Sequence, residues 1–392
     1  MQQRPQSERV HIAFFGRCNS GKSTLINALT GQNIAVVSDV SGTTTDSVSK
    51  SIELPGIGAC VLIDTPGFDD KSVLGEQRVA QTIKVIDRVD VALLLLTDDV
   101  TDEEMRWYKE LKARDIPVIL LLAQVDRCVE RDELSMRIKE KMGHSLIAVS
   151  AITGEGMDEL RVALQQAVQR EERTILQGLV EAGDTVMLIM PQDASAPKGR
   201  LIQPQVQTIR ELLDRQCTVI SSTTEGMPAA LAALAAPPRL IITDSQVFEA
   251  VYRLKPEASR LTSFSVLFAR YKGDITTFVE GAKMLSCLTD NSRVLIAEAC
   301  THIPQNEDIG RVKLPALLRR KISPMLHIDV VSGNEFPQDL TTYDLVIHCG
   351  ACMFNSRHVL NRIARARIQS VPITNYGIAI AALTGILDRI EY

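Results

Sequence analysis

The feature that most constrains the fold of this chain is a glycine-rich segment near its N-terminus. Residues Gly16–Ser23 (GRCNSGKS) fit the pattern G-x-x-x-x-G-K-[ST]. They follow the apolar segment Val10–Phe15, which predicts a strand, and they precede a helical pattern that begins at Lys22. In this strand–loop–helix context the pattern is typical of a phosphate-binding loop. The sequence therefore predicts an α/β domain with a phosphate site at the end of a parallel strand.

The residue types of this loop suit a nucleotide. Its glycines permit a tight turn whose backbone N–H groups surround phosphates, and the helix N-terminus adds a favourable dipole. We expect Lys22 to reach the β- and γ-phosphates and Ser23 to bind Mg²⁺. The predicted nucleotide contacts in the loop are Asn19, Ser20, Gly21, Lys22, Ser23 and Thr24.

Two further motifs predict groups that respond to the γ-phosphate. In the segment GTTTD at 42–46, we expect Thr43 and Thr44 to contact the nucleotide, and Thr44 to sense both Mg²⁺ and the γ-phosphate. In the segment DTPG at 64–67, Asp64 is expected to support Mg²⁺, often through water, and the Gly67 N–H to touch the γ-phosphate. Lys22, Thr44 and Asp64 are therefore the predicted catalytic groups.

The base is expected to meet residues that follow two later strands. Ser150 and Ala151 come directly after the last predicted strand of this region. Together with the motifs above, they make residues 10–165 similar to the Era/TrmE-like branch of translation-factor-class GTPases. The resemblance implies a P-loop GTPase domain that binds GTP or GDP with Mg²⁺ and hydrolyses GTP.

The chain departs from that family at two positions. Members of the family usually recognise guanine with N-K-x-D, whereas this chain has AQVD at 123–126. Asp126 still suits guanine N1 and N2, so the change concerns affinity more than base choice. Phe68 follows the DTPG motif where Ras-like enzymes place a glutamine that orients water, and this predicts slow intrinsic hydrolysis.

Asn19 has two readings. It matches the position that binds K⁺ in the potassium-stimulated GTPases of this branch, where the cation supplies charge that an arginine finger supplies elsewhere. The alternative is a hydrogen bond that stabilises the loop. K⁺ is accordingly a candidate cofactor that the sequence alone does not decide.

The pattern of strands predicts three α/β domains. Further apolar strands complete the GTPase domain (residues 1–170), and a charged helix over about 156–179 leads out of it. A middle α/β domain is predicted at 180–260, with dimerisation as its expected role, and a third at 263–392. The predicted class is therefore a P-loop GTPase domain followed by two smaller parallel-sheet α/β domains. The predicted strands, after the first, are 60–63, 91–96, 118–123, 146–149, 184–190, 218–220, 239–242, 293–297, 327–331, 344–347 and 371–374.

Composition excludes some classes of partner and compartment. The net charge of −5 over 392 residues argues against a general nucleic-acid binder. The longest apolar run, Val91–Leu96, is far shorter than a membrane span, so no membrane partner is expected. Eight cysteines without an apolar leader near Met1 indicate a reducing, cytoplasmic location.

Two cysteine clusters in the third domain predict a metal site. Cys300 belongs to the segment CTH at 300–302, and Cys349 and Cys352 belong to HCGAC at 348–352. Each cluster follows a predicted strand, and the carboxyl edge of a parallel sheet is where ligands bind. Spacing leaves open an iron–sulfur cluster, a zinc ion completed by His302 or His348, and chance. The other five cysteines are expected to pack or to lie at the surface by chance.

A GTPase segment followed by C-x-H and H-C-x-x-C resembles, over the whole chain, the HydF family of [FeFe]-hydrogenase maturation GTPases. The resemblance implies a [4Fe–4S] cluster held by Cys300, Cys349 and Cys352. It further implies a homodimer or higher oligomer that receives a transient diiron precursor from radical-SAM maturases and delivers it to apo-hydrogenase. The fourth ligand of the cluster stays open among His302, His348, Glu298 and an exogenous group.

Two other functions compete with that scaffold. One is a regulatory GTPase that acts on RNA or ribosomes and carries structural zinc, which the acidic net charge disfavours. The other is a redox sensor whose cluster reports oxidation and carries no cargo. The switch segments are the expected link between GTP and the metal site, since the γ-phosphate orders them and hydrolysis releases them.

Overall fold

The chain forms two compact units, Met1–Glu171 and Glu172–Tyr392. The computed structural model describes residues 9–31, 48–67, 82, 85–168, 174–191, 201–299, 309–333, 335–352 and 354–392. Across these ranges, no helix combines the length and the apolar character that crossing a membrane requires.

The first unit is built on a sheet of six described strands in the order β2-β3-β1-β4-β5-β6. All neighbouring strands run parallel except β2, which pairs with β3 in antiparallel fashion. The strand bounds are β1 Val10–Gly16, β2 Val48–Leu54, β3 Gly58–Asp64, β4 Val91–Leu96, β5 Val118–Ala123 and β6 Leu146–Val149.

The central strand β4 explains why this sheet is covered on both faces. Its sequence VALLLL is apolar at every position, and each of its side chains is at most 1% exposed. A parallel strand without polar alternation has to be buried on both sides. Separate hydrophobic cores accordingly lie on the two faces of the sheet. The helices of this unit whose full length lies within the described ranges are α1 Lys22–Thr30, α2 Asp102–Ala113, α3 Arg131–Met142 and α4 Met157–Val168.

The predicted helix over 156–179 is only partly correct. Helix α4 covers Met157–Val168, residues 169–173 lie outside the described ranges, and 175–179 form turns. Ile175 and Leu176 in those turns belong to the core of the second unit, and their N–H groups donate to the Glu211 carboxylate at 2.7 and 3.0 Å. Tertiary packing therefore overrides the helical pattern there.

The second unit contains two four-stranded parallel sheets with the same topology. The middle sheet has the order β10-β9-β7-β8 and the C-terminal sheet has the order β12-β11-β13-β14. In each, the first strand in the chain lies between the second and the third, so the order reverses beside it. The bounds are β7 Thr185–Ile189, β8 Thr218–Ser222, β9 Leu240–Thr243, β10 Arg260–Ser263, β11 Arg293–Ala297, β12 His327–Val331, β13 Leu345–His348 and β14 Ile373–Asn375.

One hydrophobic core joins these two sheets. It contains Met187 and Ile241 of the middle sheet together with Leu295 and Ile347 of the C-terminal sheet, all fully buried. The helices that cover the sheets are α5 Gln203–Asp214, α6 Met227–Ala232, α7 Phe248–Leu254, α8 Phe264–Lys272, α9 Ile275–Ala282, α10 Leu314–Lys321, α11 Ser356–Ile368 and α12 Tyr376–Leu383.

The predicted fold class is confirmed, since a P-loop α/β sheet precedes two smaller parallel sheets. The sequence missed β2 and β10. The three domain ranges given above stay a prediction.

Candidate functional site

The phosphate-binding loop between β1 and α1 has the conformation that its glycines require. A Cβ at Gly16 would lie 2.7 Å from the Ser20 Oγ and 2.9 Å from the Leu95 carbonyl oxygen, so no larger residue fits there. Gly21 caps α1 with a φ of 90°, in the left-handed region. The Lys22 Nζ donates to the carbonyl oxygens of Gly16 at 2.9 Å and Arg17 at 2.7 Å. The lysine thus lies over the loop whose phosphates it is predicted to bind.

Ser23 and Asp64, the two described residues predicted to bind or support Mg²⁺, lie in direct contact. The Ser23 Oγ donates to the Asp64 Oδ2 at 2.5 Å. The Asp64 Oδ1 is buried without a hydrogen-bond partner among the described residues. Burial raises the pKa of Asp64, and the Ser23 hydrogen bond and the Lys22 charge oppose that rise. A buried carboxylate oxygen with no donor, beside a hydroxyl, is a donor set that suits Mg²⁺.

Gly67 of the DTPG motif passes directly against the phosphate loop. A Cβ on Gly67 would lie 2.4 Å from the Cys18 Sγ and 2.6 Å from the Cys18 nitrogen. Only glycine therefore permits this approach, which brings the end of the motif beside the loop. The predicted residues Thr43 and Thr44, and also Phe68, lie outside the described residues.

The base-recognition segment is joined to the phosphate loop by a residue that the sequence did not single out. Gln124 adopts a left-handed φ of 58°, and its Nε2 donates to the Asn19 carbonyl oxygen at 2.7 Å. Asp126, two residues later, accepts from the Ser150 Oγ at 2.6 Å, and Ser150 is fully buried. The structure thus brings Asp126 and Ser150 together, with Ala151 next in the chain, and their contact with the base stays a prediction. The sequence feature that could have pointed to Gln124 is its position in AQVD, the altered form of the N-K-x-D motif.

Arg17 is a second residue that sequence reasoning missed. Its Nε lies 2.9 Å from the Glu104 Oε1, and the Glu104 side chain is fully buried. The other Glu104 oxygen accepts from the Thr101 N–H and Oγ at the start of α2, where the two residues form a capping box. Arg17 therefore ties the phosphate loop to the first turn of α2.

The segment after β13 that contains Cys349 and Cys352, called the cysteine loop below, lies where the strand order of the C-terminal sheet reverses. Strands β11 and β13 are neighbours, with Ala297 opposite His348. The Cys349 N–H donates to the Ala297 carbonyl at 3.0 Å, which extends the pairing beyond β13. Cys349 and Cys352 are both half-buried at this carboxyl edge. The prediction that the cysteines follow the strand ends holds for this pair, whereas Cys300 and His302 lie outside the described residues.

The Cys349 sulfur is held by backbone donors. The Ala299 N–H donates to its Sγ at 3.0 Å and the Ala351 N–H at 3.4 Å. Burial raises the pKa of the Cys349 thiol, while these N–H groups and the Arg362 charge oppose the rise. Such donors stabilise a metal-bound thiolate, so the residues present fit a thiolate-ligated metal or cluster. No group of three His, Cys, Asp or Glu side chains with metal-binding geometry occurs within the described ranges, which exclude Cys300.

Both nitrogens of His348 are used inside the fold. Its Nδ1 lies 2.7 Å from the Cys349 carbonyl, to which it donates, and its Nε2 accepts from the Arg362 guanidinium at 3.0 Å. Burial, followed by the charge of Arg362, lowers the pKa of His348 to about 3. The imidazole is therefore neutral and engaged, which argues against His348 as the fourth metal ligand. Its contact instead orients the backbone of Cys349.

Glu298 is likewise held by partners within the protein. It is 4% exposed, and its Oε2 accepts from the Arg311 Nε at 3.1 Å and from the Ser332 Oγ at 3.0 Å. An ion pair of this kind stabilises the carboxylate without a metal. Arg311 and Ser332 thus bind the Glu298 carboxylate, and these contacts argue against Glu298 as an iron ligand.

Comparison with protein families divides the chain into three matched segments. Residues 11–124 match the model of the 50S ribosome-binding GTPase family. Residues 175–273 match the hydrogen maturase F dimerization domain, and 276–391 match the hydrogen maturase F tetramerization domain.

Among curated proteins, the chain is similar to the tRNA modification GTPase MnmE of Nitrosomonas europaea. The two are 37% identical over 160 residues, which is 40% of this chain. The match spans about a third of the relative's length, at 34%.

Among solved structures, the chain is similar to Aquifex aeolicus Era bound to GDP·AlF4⁻, with 19% identity, a TM-score of 0.38 and coverage of 57% of this chain and 98% of that chain. It is also similar to the G domain of the T. maritima FeoB iron transporter, with 27% identity, a TM-score of 0.30 and coverage of 41% and 100%. Because these TM-scores are below 0.5, the fold assignment rests on the strand order instead.

The two maturase models match consecutive segments that together make up more than half of the chain. They follow a segment that matches a GTPase model and carries the phosphate loop. The chain therefore belongs to the hydrogen maturase F (HydF) family.

Proposed function

We propose that this protein is a GTP-hydrolysing scaffold of [FeFe]-hydrogenase maturation. It holds a [4Fe–4S] cluster and carries a diiron precursor to apo-hydrogenase. The observation that supports this most is the cysteine loop at the reversal of strand order in the C-terminal sheet, within a maturase-family segment that follows a GTPase domain.

In the GTPase unit, the described residues that we propose as contacts serve the β- and γ-phosphates, Mg²⁺ and the base. Lys22 meets the β- and γ-phosphates, while Ser23 and Asp64 hold Mg²⁺. The Gly67 N–H approaches the γ-phosphate, and Asp126 accepts from guanine. The GTPase cofactors are thus GTP or GDP and Mg²⁺.

Hydrolysis in this unit is slow and responds to K⁺. Phe68 lacks the group that would orient water, and Asn19 offers a side-chain oxygen for a monovalent cation beside the phosphate loop. Thr43 and Thr44 complete the site as the switch contacts. Ordering of the switch by the γ-phosphate, and its release on hydrolysis, changes the affinity for partners.

In the second unit, Cys300, Cys349 and Cys352 hold the [4Fe–4S] cluster. A cluster with three cysteine ligands supplies one iron with an exchangeable ligand position. The chain's own groups prepare the sulfur of Cys349, since the Ala299 and Ala351 N–H groups converge on it. His348 fixes the carbonyl of the same residue.

Membership of the family supports the partners that we propose. They are the radical-SAM maturases that supply the diiron precursor and the apo-[FeFe]-hydrogenase that receives it. The protein acts as a homodimer or a higher oligomer, in keeping with the two oligomerisation domains of the family models. It works in the reducing cytoplasm, without nucleic acid or a membrane as partner.

Anaerobic purification tests the metal half of this proposal. We expect brown protein with iron and sulfide close to four of each per chain, as a [4Fe–4S] cluster requires. The variant Cys349→Ser should lose the iron, while Cys287→Ser, which changes an exposed cysteine, should keep it. A colourless protein with one zinc per chain would refute the scaffold.

Co-expression tests the delivery of cargo. Hydrogenase produced with its maturases should be active with the wild-type chain and inactive with Cys300→Ser. Full activity with that variant would contradict the carrier role. An iron–sulfur protein that binds iron but does not support hydrogenase activity would indicate a redox sensor.

A second candidate is a regulatory GTPase with structural zinc that acts on RNA or ribosomes. The match of residues 11–124 to a ribosome-binding GTPase model favours it. The net charge of −5 disfavours it, because RNA binding draws on basic surfaces. Sedimentation of the protein with ribosomes in the presence of a non-hydrolysable GTP analogue, together with zinc instead of iron, would support this alternative.

A further inference from the structure

We propose that Lys272 is a positioning residue of the cysteine site, which fixes the loop of Cys349 and Cys352 before any metal binds. This inference rests on the proposed cluster site. It adds to that site a residue from a different segment of the chain.

The contacts of Lys272 converge on one short loop. Its Nζ donates to the carbonyl oxygens of Ala351 at 2.9 Å, Cys352 at 3.2 Å and Phe354 at 2.8 Å. An ammonium group carries three N–H donors, so these carbonyls match its hydrogen-bonding capacity. The lysine thereby determines which way three peptide groups of the loop face.

Side-chain packing alone does not explain why a lysine is buried at position 272. The residue is 2% exposed, and its Nζ lies 5.6 Å from the centre of the Phe268 ring. Burying an ammonium is unfavourable unless hydrogen bonds replace its water shell. An apolar side chain would fill the same volume without that cost. The loop carbonyls and the aromatic face are what make a lysine stable at this position.

The backbone of the loop needs such an external contact. Ala351 has a φ of 48°, in the left-handed region that residues with a Cβ rarely adopt. Holding a non-glycine residue there costs on the order of 1 kcal/mol. The bond from Lys272 to the Ala351 carbonyl offsets this strain. Ala351 is held from both of its peptide groups, since its carbonyl accepts from Lys272 and its N–H, in the preceding peptide group, donates to the Cys349 Sγ 3.4 Å away.

The contact also crosses between two segments of the second unit. Lys272 is the last residue of α8, inside the range that matches the dimerization model. The loop lies 79 to 82 residues further on, inside the range that matches the tetramerization model. The geometry of the cysteine loop therefore depends on a side chain outside its own sheet.

The test compares three variants of the full chain. Lys272→Met keeps the length of the side chain and removes its donors, whereas Lys272→Arg keeps charge and donors. Lys321→Met, an exposed lysine of α10, is the matched control. Residues 349–356 of the metal-free protein are followed by amide hydrogen exchange, and the site thiols by their reaction with a disulfide reagent.

We expect exchange and thiol reaction to be about tenfold faster in Lys272→Met, since removing a hydrogen bond to a charged group has an effect of that size. Lys272→Arg should recover part of the protection, and Lys321→Met should match the wild type. After reconstitution with ferrous iron and sulfide, Lys272→Met should retain less iron and show a broadened electron paramagnetic resonance spectrum. GTP turnover should be unchanged in all variants.

Wild-type exchange and thiol reactivity in Lys272→Met would overturn the proposal. So would protection lost evenly across the whole second unit with no rescue by Lys272→Arg, because that result indicates a structural role alone. If Lys272→Met does not fold, Lys272→Gln replaces it, and the loop should then be less protected than in Lys272→Arg. Failure of the wild type to bind iron would refute the cluster, while exchange in the metal-free protein would still decide the role of Lys272.

Discussion

Two buried lysines serve the two sites of this chain, and they do so over very different sequence distances. Lys22 donates to carbonyl groups five and six residues before it, within its own loop. Lys272 donates to carbonyl groups about eighty residues after it. The local contact belongs to a recognisable motif, whereas the distant one exists only in the folded chain. The same kind of contact, a lysine ammonium that donates to loop carbonyls, can therefore be predicted from the sequence in one case and only from the folded structure in the other.

The largest effect expected on the nucleotide side is that of Lys22→Ala. Removing a charged donor from the developing phosphate charge should lower GTP turnover by about 100-fold or more. Iron content should stay at the wild-type level, because the cysteine loop belongs to the other unit. Phosphate release and iron analysis on one preparation check both statements. Loss of iron in Lys22→Ala would show that the two sites do not assemble independently.

The complementary change is Cys349→Ser. It removes the sulfur on which two backbone N–H groups converge, so bound iron should fall to near background. GTP turnover should remain within about twofold of the wild type, since the change alters no group of the nucleotide site. Iron and sulfide assays read the first outcome and phosphate release the second. Turnover lost together with the cluster would contradict the separation of the two sites.

A smaller effect is expected from Arg362→Met, which removes a buried guanidinium behind the cysteine loop. Arg362 donates to the His348 Nε2 at 3.0 Å and to the Gly333 carbonyl. Leaving these acceptors buried without their donor should destabilise the second unit by about 2–3 kcal/mol. Denaturant unfolding measures the change, and Arg320→Met, at an exposed arginine of α10, is the control. Equal stability of the two variants would contradict the role of this contact.

The smallest effect is expected from Gln124→Ala in the nucleotide unit. The change removes the bond from the Gln124 Nε2 to the Asn19 carbonyl and so frees the phosphate loop from the base-recognition segment. Loss of one hydrogen bond of about 1 kcal/mol predicts roughly a fivefold weaker Kd for GDP. Fluorescent-nucleotide titration measures it. Gln165→Ala, which removes a bond to the Pro55 carbonyl in the same unit, is the control and should leave the Kd unchanged. An equal loss of GDP affinity in Gln165→Ala would contradict a specific role for the bond between Gln124 and Asn19.

Much of the framework could be predicted because its signals are local. Strand β4 is a continuous apolar run, and the phosphate loop is a motif of fixed spacing. The position of Cys349 at a carboxyl edge followed from the apolar segment before it. In each case the residues that carry the information are neighbours in the chain.

What the sequence did not predict depends on distant partners. Strand β2 is an edge strand, exposed at most of its described positions, and its antiparallel pairing with β3 defines it. The bond of Arg17 to Glu104 joins residues 87 positions apart. His348 looked like a ligand because it precedes a cysteine, yet Arg362 and a backbone carbonyl occupy its nitrogens. Burial and long-range hydrogen bonds decide such roles, and local patterns do not encode them.

The core that the middle and C-terminal sheets share has a thermodynamic consequence. Because Met187, Ile241, Leu295 and Ile347 belong to one packed cluster, neither sheet can melt without exposing apolar surface of the other. The Glu391 N–H, close to the end of the chain, also donates to the Leu261 carbonyl of β10 at 2.8 Å. The second unit should therefore unfold in a single cooperative transition, with equal calorimetric and van't Hoff enthalpies.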